Sequence, residues 1–242
     1  MAITYKSSGA GAGTETSAAD LNLVAPATVD VNDILIAQVI HTGITTGPTT
    51  PSGWSLLHGP ADLGVGTVTA RHWCFGKLAA GTEDGATISF GTDGGTNGRA
   101  GRIYSFAGYV SGTLADVVPA ASFSDIANNT DPQGPTVTTT IAGALAIALT
   151  CQDDNNNEEA IAGATGGTWG GFVTYVNATW GPLGIHIDIQ VATPTADPGT
   201  ISGGAMVAAN DQASTIGFEI RESAVVGGAS THHLHLPLLG VG

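Results

Sequence analysis

Basic side chains are scarce in this chain of 242 residues: six Lys and Arg stand against 20 Asp and Glu, for a formal net charge of −14. Nucleic-acid binding needs clusters of Lys and Arg to neutralise phosphates, so this balance argues against it. The same shortage argues against anionic membrane surfaces. The acidity reads as solubility and mutual repulsion, or as a surface suited to high ionic strength, where screening is strong. Long apolar runs are also missing. No stretch of about 18 apolar residues occurs, so no membrane-spanning helix is expected. The start, Met-Ala-Ile-Thr-Tyr-Lys, lacks the apolar core of a secretory leader, so a soluble protein made in a cytoplasm is expected. Only two cysteines occur, Cys74 and Cys151, each inside an apolar pattern (H-W-C-F and A-L-T-C-Q). Buried free thiols are the first expectation. A disulfide between them is the alternative, because pairing cannot be deduced from sequence. Charged residues make up only 11%, and long exposed helices draw on Glu, Lys and Arg. No segment carries an i, i+3, i+4, i+7 apolar stripe.

What is present points to strands. Glycine is abundant, with 36 residues, as expected for short strands joined by tight turns. Residues 33–41 form an apolar run, followed by a Gly/Thr/Pro loop and a second strand opening on Trp54. Residues 67–78 alternate, with Ala70, His72 and Cys74 on one face and Arg71, Trp73 and Phe75 on the other. Residues 86–90, 99–109, 144–152, 171–179, 183–193 and 214–222 read as further strands. Residues 21–31 read as an edge strand, because Pro26 has no N–H for a ladder. Residues 122–133 read as a polar crossing. The pattern predicts an all-β chain of about ten strands, a single jelly-roll-like β-sandwich at 21–222. An N-terminal arm is expected at 1–20, and a flexible link with an apolar docking tail at 223–242. No internal repeat is evident.

Candidate sites are few. His233 and His235 project to one side of an extended chain and would suit a metal, but no carboxylate or cysteine nearby completes a ligand set. The loop at 153–159 carries alternating oxygen donors at Asp153, Asn155 and Asn157 that would suit calcium, against the plainer reading of a solvated turn. Metal is therefore not the favoured reading of either, and no cofactor is expected. Trp169, Tyr175 and Trp180 lie close together and are candidate glycan contacts, against the alternative of core packing. His232, His233, Leu234, His235, Leu236, Leu238 and Leu239 make the tail a candidate docking element. No G-x-S-x-G elbow and no phosphate-loop signature is present, so no catalytic residues are assigned.

The order of motifs carries a resemblance. V-D-V-N-D-I-L-I-A-Q-V (29–39), P-S-G-W-S-L-L (51–57), A-R-H-W-C-F-G-K-L-A (70–79), A-T-I-S-F (86–90), G-R-I-Y-S-F-A-G-Y-V (101–110), P-T-V-T-T-T-I-A-G-A-L-A-I-A-L (135–149) and S-T-I-G-F-E-I-R (214–221) follow one another. The series resembles a loosely defined group of β-sandwich proteins of tailed-phage virions and some secreted bacterial proteins, over about residues 20–221. The resemblance implies a sandwich placed on a virion exterior, with other capsid or tail proteins as partners and a homo-oligomeric state. It supplies no catalytic residues. The function expected is a non-enzymatic capsid decoration or cement protein. The alternatives are a tail-fibre or tail-tip module binding a receptor or a host-surface glycan, and a secreted carbohydrate-active domain.

Overall fold

The computed structural model describes residues 3–14, 19–42, 47–62, 70–91, 98–108, 112–129, 133–152, 161–177, 185–206 and 213–222. The all-β expectation holds. Eight strands lie in the first half: β1 (Thr4–Ser8), β2 (Ala12–Thr14), β3 (Asn22–Val24), β4 (Ile34–Thr42), β5 (Ser55–Asp62), β6 (Ala70–Leu78), β7 (Thr87–Ser89) and β8 (Arg99–Ala107). The second half holds β9 (Ser124–Asn129), β10 (Val137–Thr138), β11 (Leu145–Gln152), β12 (Ile161–Ala162), β13 (Gly170–Asn177), β14 (Ile185–Ala192), β15 (Thr200–Ile201), β16 (Ala205–Met206) and β17 (Ala213–Ile220). Between the halves sit a short helix, α1 (Leu114–Val117), and a 3-10 turn (Ala120–Ser122).

Two antiparallel sheets form the body. The first has the order β1-β8-β4-β6-β5, with β2 also on β8; the second has the order β9-β17-β11-β14-β13. They share one core, in which Ile34, Ile36, Tyr104 and Phe106 meet Leu145, Ile147, Phe218 and Ile220. The runs I-L-I-A-Q-V and L-A-I-A-L are apolar on both faces because both faces are covered. Leu35, Ala37, Val39, Trp73 and Phe75 pack outward, under a ribbon of β3 and β7, with Leu21, Leu23 and Phe90. Ala146 and Ala148 pack outward under Val137, Ile161, Trp169 and Ile201, which belong to or flank the ribbons β10–β15 and β12–β16. The period-2 alternation read from sequence for residues 70–75 is observed.

The chain is built twice. The strand order of the second sheet repeats that of the first, with β17, β11, β14 and β13 in the places of β8, β4, β6 and β5. The ribbon β3–β7 recurs as β10–β15, with Leu23 opposite Ile88 and Val137 opposite Ile201. Asp84-Gly-Ala-Thr-Ile-Ser89 matches Asp197-Pro-Gly-Thr-Ile-Ser202. In the first half Ala25 N donates to Ala86 O at 2.9 Å, and in the second Thr139 N donates to Gly199 O at 2.8 Å. The turns that launch β4 and β11 correspond as well. Asn32 (φ 68°) and Gly143 (φ 79°) each stand two residues before the strand, in the left-handed region that a short amide side chain or glycine tolerates. Matched positions face the shared core from both sides, as in an isologous pair.

Several expectations are corrected. Within the stretch expected as an arm, residues 3–14 join the body: β1 and β2 both pair with β8, and Ile3 is buried. Their small, glycine-rich composition hid an edge strand that a bulge between Tyr5 and Ser7 interrupts. The supposed crossing at 122–133 contains β9, hydrogen-bonded to β17. The edge strand expected at 21–31 shrinks to Asn22–Val24 in the β3–β7 ribbon. Strands number more than ten because the covering ribbons are only two or three residues long. Among the described residues each half keeps its main strands in its own sheet. Cys74 and Cys151 are both fully buried, and neither is in a disulfide. Burial pushes the Cys74 thiol up, by desolvation of the thiolate. A thiol reagent is therefore expected to titrate neither cysteine in the native protein and both after denaturation.

Candidate functional site

Most residues singled out by sequence lie outside the described residues: Asp153, Asn155, Asn157, Trp180, and the tail residues His232, His233, Leu234, His235, Leu236, Leu238 and Leu239. Tyr175 lies on β13, but its side chain is likewise outside the description. Trp169 is described and is only 3% exposed, packed against Val137, Ala146 and Ile201. It closes the outer core of the second sheet, so its ring is packed against protein on the side that a ligand would need. Sequence alone could not separate a surface tryptophan from one under a ribbon.

The structure assembles a different place. Along β17, Phe218 and Ile220 point into the shared core, so Glu219 and Arg221 point to the outer side of the sheet. Glu219 is fully buried. Its carboxylate accepts from Thr140 N at 2.8 Å, Thr140 Oγ1 at 2.8 Å and Arg221 Nη1 at 3.3 Å. The Arg221 guanidinium also donates from Nε to Asp116 O at 3.0 Å. These two side chains floor a groove that holds about 420 Å³, within the range of roughly 300–1,000 Å³ usual for small-ligand sites. One wall is Pro119, Ala121, Ser122, Phe123 and Ser124; the other is Thr136, Thr138 and Thr140.

The walls are hydroxyl-rich and stiffened by cross-bonds. Thr138 Oγ1 lies 2.8 Å from Thr200 Oγ1, and Thr136 Oγ1 lies 3.0 Å from Ser202 Oγ. Ser124 Oγ donates to Thr136 O at 2.8 Å, joining the walls at one end. The Phe123 ring stacks with His58 (5.0 Å) and Phe218 (4.8 Å), which anchors its wall to the shared core. The first half treats the same edge differently. There β1 runs along β8, with Ser7 opposite Ser105, the position matching Glu219. In the second half the chain at 117–122 takes that place without forming a strand. It satisfies the β17 edge through Ser122 Oγ, which accepts from Glu219 N at 3.3 Å, and Val117 O, which accepts from Arg221 N at 3.0 Å. A sequence signal existed: Glu219 and Arg221 stand two apart in G-F-E-I-R, and Thr136, Thr138 and Thr140 alternate. Strand period puts each set on one face, but not the two sets together.

A second polar cluster lies inside the shared core. Gln38 Nε2 donates to Thr150 O at 2.7 Å, and Tyr104 OH donates to Gln38 Oε1 at 2.8 Å. His72 is fully buried, with neither ring nitrogen hydrogen-bonded among the described residues. Desolvation, reinforced by the nearby His58, lowers its pKa from 6.5 to about 3. His58 Nε2 lies 3.4 Å from Asp125 Oδ2 across the two sheets. Among the described residues no group of three or more His, Cys, Asp or Glu is placed to hold a metal.

Comparison with protein-family models, curated proteins and solved structures returned no match.

Proposed function

We propose that this chain is a non-enzymatic structural protein of a tailed-phage virion, a decoration or cement protein that works through contacts with neighbouring subunits. The order of strand and turn motifs over residues 20–221 carries this reading. The architecture agrees with it: both main sheets are covered on both faces, so most apolar chemistry goes into a stiff slab, and edges and ribbons remain for contact. Repetition around a symmetric particle multiplies weak contacts into firm attachment. The apolar tail at 224–242 is the proposed anchor. Deleting it is expected to cut particle occupancy sharply in reconstructions of particles with and without the protein. Equal occupancy of truncated and full-length chains would exclude the tail as anchor, and absence of the full chain from purified particles would exclude the reading itself.

A further inference from the structure

We infer that the groove over Glu219 and Arg221 is a binding site for a neutral, polyhydroxylated ligand, a short uncharged glycan. Three observations lead there. The first is a break in the duplication. Both halves follow one plan, but where the first half lays β1 along β8, the second leaves an opening of about 420 Å³. Packing one sheet edge did not require that opening, because the first half closes the same edge with a strand.

The second is the chemistry of the lining. Ser122, Ser124, Thr136, Thr138 and Thr140 present hydroxyls, and each hydroxyl both donates and accepts. Ser124, Thr136 and Thr138 each spend one bond on a wall contact and keep the other capacity for a ligand, whereas Ser122 and Thr140 already donate and accept within the protein. Sugars carry the same dual groups at close spacing. The Phe123 ring already stacks with His58 and Phe218, so hydrogen bonds rather than ring stacking would hold the sugar.

The third is charge. Arg221 is paired with the buried Glu219, so the floor carries no net charge. The chain as a whole carries −14, which disfavours an anionic ligand. Phosphate, sulfate and acidic sugars are thus poor candidates, and a neutral saccharide fits.

The test uses the full chain on an array of neutral and acidic glycans, with the best neutral hit titrated by NMR. Thr138 is exposed, so Thr138→Val removes a hydroxyl without disturbing the core, and Thr138→Arg fills the groove. A neutral oligosaccharide should bind, Thr138→Val should weaken it by about fivefold or more, and Thr138→Arg should abolish binding while thermal unfolding stays that of the parent. Three results would overturn the inference: no neutral glycan bound, acidic glycans alone bound, or neutral binding untouched by both variants. None of these bears on particle occupancy, so this site and the virion reading fail separately.

Discussion

Truncating Phe218 to alanine is expected to lower the stability of the whole chain by about 3–5 kcal/mol, with unfolding still a single transition. Phe218 is fully buried between the sheets and stacks on Phe123. Removing it takes out a large apolar surface and leaves a cavity that close-packed neighbours only partly fill. The single transition follows from where the core lies. Tyr104, Phe106, Ile34 and Ile36 of the first half are covered by Leu145, Ile147, Ile216 and Ile220 of the second. Among the described residues neither half has another cover for that face, so neither is expected to survive alone. Denaturant unfolding followed by tryptophan fluorescence and far-ultraviolet dichroism checks this, since Trp54 and Trp73 report on the first half and Trp169 on the second. Two separated transitions, only one of them shifted by the substitution, would show that the halves stand independently.

Replacing His72 with isoleucine is expected to remove much of the protein's sensitivity to acid. The folded pKa of about 3 lies below the ordinary 6.5. As pH falls below 6.5 the unfolded chain takes up a proton that the folded chain refuses, so stability falls through the window from 6.5 to 3 and levels off below it. At pH 4 the expected loss from this residue is about 3 kcal/mol. Isoleucine is the second half's own choice: Ile187 sits opposite Cys151 in the register that places His72 opposite Ile40. The variant should match or exceed the parent at pH 7 and exceed it clearly at pH 4. Parallel stability curves from pH 7 to 4 would mean that His72 is not kept neutral by its surroundings. The carboxylates stay common to both proteins, so the difference between the curves isolates the imidazole.

Sequence carried the fold's class further than its plan. β4 and β11 were legible because an unbroken apolar run of that length, bounded by turns, belongs to a strand covered on both sides. β6 was legible because His72 and Cys74 alternate with Trp73 and Phe75. The duplication was not. Matched strands share periodicity and turn geometry but few side chains: Gln38 stands where Leu149 does, and Ile103 where Gly217 does. Backbone demands survive such drift longer than side-chain identity, as Asn32 and Gly143 illustrate. The outer packing shows why the residues diverged together. A Cβ on Gly217 would lie 2.4 Å from Pro135 Cβ, so the second half seats its ribbon closer at that point. The groove was hidden for another reason. Its floor and its threonine wall are some eighty residues apart in the chain (Thr140 to Glu219, |i−j| = 79), and only the pairing of β17 with β11 and β9 brings them together.

Two like halves joined on one chain escape a constraint that binds a homodimer. In a dimer every substitution appears on both sides at once, and assembly depends on concentration. Here one half can keep its border sealed by a pairing strand while the other gives up that seal and opens a recess. Asymmetry of that kind gives the body two unlike sides, so a partner that recognises one of them fixes how the protein is turned.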